Sequence, residues 1–112
     1  MKMVTAIIKP MTLDAVTDAL TALGVGGVTV YEVKGFGQQR GHVDRAHGDK
    51  HAAQYLTKLR LDVAVADDLV EKAIEAIVSA AHTGRIGDGK IFVTDLPRAV
   101  RIRNRETGDA AL

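Results

Sequence analysis

Apolar residues follow two kinds of spacing along this chain, and the switch between them divides it into two similar halves. Residues 3–8 form a short β-rich run stopped by Pro10. Thr12 then stands as an N-cap, and Leu13, Val16, Leu20 and Leu23 recur at helical spacing before Gly24, the residue past the helix end. Residues 28–36 alternate and are rich in β-branched side chains, which predicts a strand. The first half reads as strand, helix, strand.

The periodicity vanishes over residues 37–55, where glycine, charge and three histidines (His42, His47 and His51) collect. A loop of that length in a small domain is either functional or disordered. Beyond it, Leu59, Leu61, Val63 and Val65 alternate with Lys58, Arg60 and Asp62 as a half-buried strand. Asp67 is placed to cap a second helix with Val70, Ala73, Ile74, Ile77, Val78 and Ala81 on its apolar face, ending before Gly84. A turn at residues 87–89 leads into a strand at 91–93, and residues 99–103 are expected to form a last short strand.

Two such units predict one α+β domain over residues 1–112, a ferredoxin-like βαββαβ sandwich with two helices on one face of a four-stranded sheet and a long loop after the second strand. The run Val63, Ala64, Val65, Ala66 is apolar on both faces of its strand, so the uncovered sheet face is expected to be buried by oligomerisation.

Composition narrows the chemistry. The 112 residues contain no Cys and no Trp, which excludes a disulfide framework, thiol catalysis and Cys-ligated zinc. The formal net charge of +1 provides no field on the scale of a polynucleotide, so no nucleic-acid partner is expected and any anion must be held by a local cluster. Asp14 and Asp18 interrupt any leader-like apolar run near the start, and no stretch is long enough to cross a bilayer; a cytoplasmic protein is expected.

The run Thr83-Gly84-Arg85-Ile86-Gly87-Asp88-Gly89-Lys90 has the glycine and lysine spacing of a P-loop. It nevertheless leaves a helix and enters a strand, and Ile91 stands where Ser or Thr would hold Mg²⁺, so a Walker site is rejected. Two readings stay open: a backbone anion nest beside the Lys90 ammonium, or a tight helix-to-strand turn with a solvated lysine. Arg101 and Arg103, two apart on the expected last strand, would share one face, which suits either a polyphosphate or a charged edge that discourages aggregation. Gly35, Gly37 and Gly41, with Gln39 and Arg40, fit either close backbone approach to a ligand or a hinge. His42, His47 and His51 with Asp44 and Asp49 could coordinate a transition metal or simply be solvated. The sequence offers no nucleophile with an evident base and no paired carboxylates, so catalysis is not expected.

The run from Thr83 to Lys90 with its continuation Ile91-Phe92-Val93, together with Ala6-Ile7-Ile8-Lys9-Pro10, Glu32-Val33-Lys34-Gly35-Phe36-Gly37 and Val100-Arg101-Ile102-Arg103, resembles the PII signal-transduction proteins, the nitrogen regulators, and the likeness extends along essentially the whole chain. The resemblance implies a homotrimer with ATP or ADP in clefts between subunits. It implies nucleotide contacts at Thr29, Gly37, Gln38, Ala64, Gly87, Asp88, Gly89, Lys90, Arg101 and Arg103. It further implies 2-oxoglutarate beside Mg-ATP, held by Gly37, Gln39, Arg40, Gly41 and Lys58, with Gln39 as the protein ligand of Mg²⁺. Residues 37–55 correspond to the T-loop that meets a target, such as an ammonium transporter at the membrane or a nitrogen-metabolism enzyme. Within that loop His51 stands where many members carry a modified tyrosine, Asp49 where some carry a phosphorylated serine, and His47 and Gln38 where relatives have arginines.

Overall fold

A computed structural model describes residues 1–37 and 55–112. Strand β1 (Lys2–Ile8) runs through the middle of the molecule and is followed by a short 3-10 turn at Pro10–Thr12 and helix α1 (Leu13–Ala22). Strands β2 (Thr29–Phe36) and β3 (Tyr55–Val65) precede a second 3-10 turn, helix α2 (Val70–Ala81) and strand β4 (Gly89–Asp95). The sheet order is β2-β3-β1-β4 with every neighbouring pair antiparallel, the arrangement of a ferredoxin-like sandwich.

Strand alternation decides which side is core. Val4, Ala6 and Ile8 of β1 and Leu61, Val63 and Val65 of β3 point to the helix side and are buried with Val16 and Leu20 of α1 and Ala73, Ile77 and Ala81 of α2. The intervening residues Thr5, Ile7, Arg60 and Asp62 lie on the opposite, helix-free face with Tyr31 and Phe92. There Asp62 accepts hydrogen bonds from Thr5 Oγ1 at 2.8 Å and from Arg60 at 3.1 and 3.3 Å, while the Arg60 guanidinium lies 5.3 Å from the centre of the Tyr31 ring. Burial acts to raise the Asp62 carboxyl, but the Arg60, Thr5 and Tyr31 hydrogen bonds outweigh it and hold the group below its ordinary value.

Element ends follow local chemistry. After α1, Gly24 N–H donates to Thr21 O at 2.9 Å and Val25 N–H to Leu20 O at 3.3 Å, a Schellman motif made possible by the Gly24 φ of 84°. Thr12 does stand at the N-cap position, yet its hydroxyl donates back to Lys9 O rather than capping the helix. Asp67 is not a cap either: α2 begins at Val70 after a 3-10 turn, and the Asp67 carboxylate instead binds the Met1 amino group at 2.8 Å. An ammonium offers it a stronger partner than a helix amide. Strand β3 starts at Tyr55, four residues before the alternation becomes clean.

The expected strand at 99–103 is not formed. Val100 makes an isolated bridge to Thr107, and residues 102–104 turn back on themselves. Arg101 N–H donates to Glu106 O and Arg105 N–H to Arg101 O, both at 2.8 Å, with Arg105 at a φ of 62°. Arg101 and Arg103 therefore do not share a strand face; local turn bonds took the backbone groups that a strand would have needed.

Gly89 opens β4 where it crosses closest to β1. A Cβ there would sit 1.6 Å from Ile7 O, and the φ of 107° belongs to glycine. Gly89→Ala is expected to cost at least about 2 kcal/mol or to prevent folding, whereas Gly27→Ala, with nothing within 4 Å, changes stability by under about 0.5 kcal/mol. Urea denaturation of both variants checks this, and equal midpoints would contradict it.

Candidate functional site

The turn between α2 and β4 is where the structure concentrates its polar chemistry. Gly84, Gly87 and Gly89 all have positive φ, so the backbone coils tightly across residues 83–89. Asp88 fills the coil with its own carboxylate. Its Oδ2 accepts from Thr83 N–H at 2.8 Å and Gly84 N–H at 2.9 Å, and its Oδ1 accepts the Thr83 hydroxyl and lies 3.1 Å from Lys9 Nζ. Arg85 N–H donates to Thr83 Oγ1 at 3.2 Å. The Thr83 and Gly84 amides do converge on an anion, and that anion is the chain's own Asp88 carboxylate.

The Thr83 hydroxyl and N–H, then Gly84 N–H and Lys9, hold the Asp88 carboxyl far below the usual carboxylate range against a smaller opposing effect of burial. Asp88 is therefore ionised at any physiological pH. An ionised carboxylate repels phosphate, so its side chain shapes the turn rather than receiving a ligand.

Beyond the turn lies a cavity of about 550 Å³, within the usual range for small-molecule sites. Five of the expected ligand residues line it: Gly37, Lys58, Gly87, Gly89 and Lys90. Ile7, Phe36 and Phe92 provide apolar wall, and they are lining residues that the sequence did not single out. Lys58 is buried, and its Nζ donates to Gly87 O at 2.6 Å. Burial, then the nearby Lys9 ammonium, push the Lys58 pKa down, with Asp88 partly opposing. Gly35 makes room for the Lys58 stem, since a Cβ there would lie 3.0 Å from Lys58 Cγ. The Phe36 and Tyr55 rings pack at 5.4 Å across the pair that joins the end of β2 to the start of β3.

Two ammonium groups and no carboxylate among the described lining residues make the cavity suited to an anion and unsuited to a bare cation. Among the described residues no cluster of three His, Asp or Glu side chains could hold a metal.

The remaining expected contacts lie elsewhere. Thr29 begins β2 opposite Asp62, and Ala64 pairs with Met3, five residues from the Ile8–Gly89 pair and so about 17 Å along the strands. Arg101 belongs to the same far end, its guanidinium donating to Leu112 O at 3.2 Å, with Leu112 backbone atoms 3.6 Å from a Cβ built on Gly26. Arg103 sits in the adjoining turn. Gln38, Gln39, Arg40 and Gly41, and the histidines and aspartates proposed for metal, lie outside the described residues. Lys9 was overlooked as part of the site; its signal was a lysine set between an apolar strand and a helix-opening proline.

Comparison with known proteins covers the same ground. The family model described as nitrogen regulatory protein P-II matches residues 1–106. The chain is 54% identical over 112 residues to the nitrogen regulatory protein P-II of Rhizobium etli, covering 100% of both chains. It is 50% identical to the nitrogen regulatory protein GlnK of Escherichia coli K12, again over 100% of both, and 53% identical to the P-II protein of Azospirillum brasilense.

Because folding lowers the Asp88 pKa from 3.8, its contribution to stability is present above that pH and is lost as the pH falls below it. Asp88→Asn is expected to flatten the acid side of the stability curve below about pH 4, leaving the slope due to Asp62, Asp67 and Asp95. Urea midpoints between pH 2 and 7 measure it; identical slopes in the two proteins would contradict the assignment.

Proposed function

The chain belongs to the nitrogen regulatory P-II family and has its nitrogen-regulating, signal-transducing role, and from that premise we propose that it senses ATP or ADP together with 2-oxoglutarate. It does so by binding, not by catalysis, and reports to a target through residues 37–55. The observation that carries this reading is the cavity where Lys58, Lys90, Gly87 and Gly37 converge, with no carboxylate among its described lining residues.

The division of the expected contacts supports an assembly. Glycine turn, Lys58 and Lys90 lie at one end of the sheet, while Thr29, Ala64 and Arg101 lie at the other. Two such half-sites complete each other when copies meet head to tail, and a closed head-to-tail ring is what a trimer provides. The triphosphate then lies on Lys90 and the glycine turn of one copy, and the adenine lies against Thr29 and Ala64 of the next, with Arg101 and Arg103 completing the phosphate clamp.

Gln39, with the nucleotide phosphates and the 2-oxoglutarate carboxylate, would hold Mg²⁺, and Lys58 would pair the 2-oxoglutarate. A dicarboxylate that chelates a nucleotide-bound cation makes each ligand strengthen the other, and that coupling is the signal. The same assembly offers the loop to an ammonium transporter or a nitrogen-metabolism enzyme. No helix of the described residues is long and apolar enough to cross a membrane, so contact with a bilayer would pass through such a target.

Titration calorimetry tests the reading: Mg-ATP binds the wild-type chain, and 2-oxoglutarate binds only with Mg-ATP present. Lys90→Ala and Arg103→Ala are each expected to weaken ATP binding by about 1–3 kcal/mol with the trimer intact by light scattering. Arg103 is the cleaner arginine, because Arg101 also holds Glu106 and Leu112 O. Lys58→Ala is expected to impair 2-oxoglutarate binding far more than ATP binding; equal loss of both would contradict the division of roles. No ATP binding, or 2-oxoglutarate binding that ignores Mg-ATP, defeats the proposal.

A further inference from the structure

Lys9 directly follows β1, is only 9% exposed, and does not line the anion cavity. Its ammonium lies 3.1 Å from Asp88 Oδ1 and 3.2 Å from Thr83 Oγ1, so it closes a ring that ties the end of the central strand to the 83–89 turn. Lys58 grips the same turn from the cavity side through Gly87 O. The turn is thus clamped between two buried lysines, one facing the ligand space and one behind it.

The rear clamp has two physical effects on an anion in the cavity. It fixes the backbone that carries Gly87 and Gly89, and it cancels the Asp88 charge, which stands one residue from both glycines and opposes phosphate. Resting on the reading that this cavity takes phosphate, we propose that Lys9 is a positioning residue of the phosphate subsite, acting through its half-buried ion pair with Asp88.

Lys9→Met is expected to weaken ATP binding about tenfold, the equivalent of one charge-assisted hydrogen bond, and Lys9→Arg to retain most of the affinity. In the Asp88→Asn background the same Lys9→Met change is expected to alter ATP affinity less than about threefold, because its partner is gone. A purely structural role does not predict that coupling. Wild-type affinity in Lys9→Met, or an undiminished effect in the Asp88→Asn background, overturns the proposal. If Lys9→Met does not fold, the comparison of Asp88→Asn with the double variant decides, and unequal affinities overturn it.

Should the wild-type chain bind no ATP, the functional reading above fails separately. Amide hydrogen exchange in the unliganded chain then decides the positioning: Lys9→Met speeds exchange at Gly84 while the β1 and β3 ladder amides keep their rates. Unchanged exchange at Gly84 overturns it.

Discussion

The contact on which the rest of the site depends is the crossing of Gly89 over the Ile7 carbonyl, where no side chain fits. Because the backbone of β4 can lie flush on β1, the turn before it is drawn down against the end of the central strand. That brings Asp88 to Lys9 on one side and Gly87 O to Lys58 on the other. A bulkier residue would lift the turn away and open both contacts at once. The constraint is steric, and the electrostatics of the cavity are built on top of it.

The sandwich was legible in the chain because its signals are repeated many times. Alternation at Leu59, Leu61, Val63 and Val65 and helical spacing at Val16, Leu20, Ala73 and Ile77 each register a core side chain, and burial agrees at nearly every one. The start of β3 was not legible: there the buried residue is Lys58, on the helix-free face beside the cavity, while Tyr55 and Thr57 on the other face are exposed, so no aliphatic alternation marks the strand. The last strand failed for a related reason. Alternation of Val100 and Ile102 with two arginines fits a strand, but Glu106 O captured the Arg101 amide, and no pattern of side-chain polarity records a backbone bond.

The candidate site was legible where glycines and lysine crowd together, and less so where one residue acts on another. Asp88 and Lys90 look equally like ligand groups in the sequence. Only geometry separates the one that turns inward to bind Thr83, Gly84 and Lys9 from the one that borders the cavity. Asp67 gave the same lesson in a simpler form: an aspartate before a helix reads as a cap, and the Met1 ammonium, 66 positions away, took it. Long-range ionic partners outrank local ones without leaving a trace in spacing.

The helix-free face of the sheet carries a carboxylate whose bonds are already made within its own chain. Thr5, Arg60 and Tyr31 satisfy Asp62, and the guanidinium that neutralises it lies against an aromatic ring. A surface laid over this face therefore meets a closed set of dipoles among apolar side chains, with little hydration to strip from an isolated charge. The polar patch makes the face easy to cover while leaving it sufficiently wettable in a chain that stands alone.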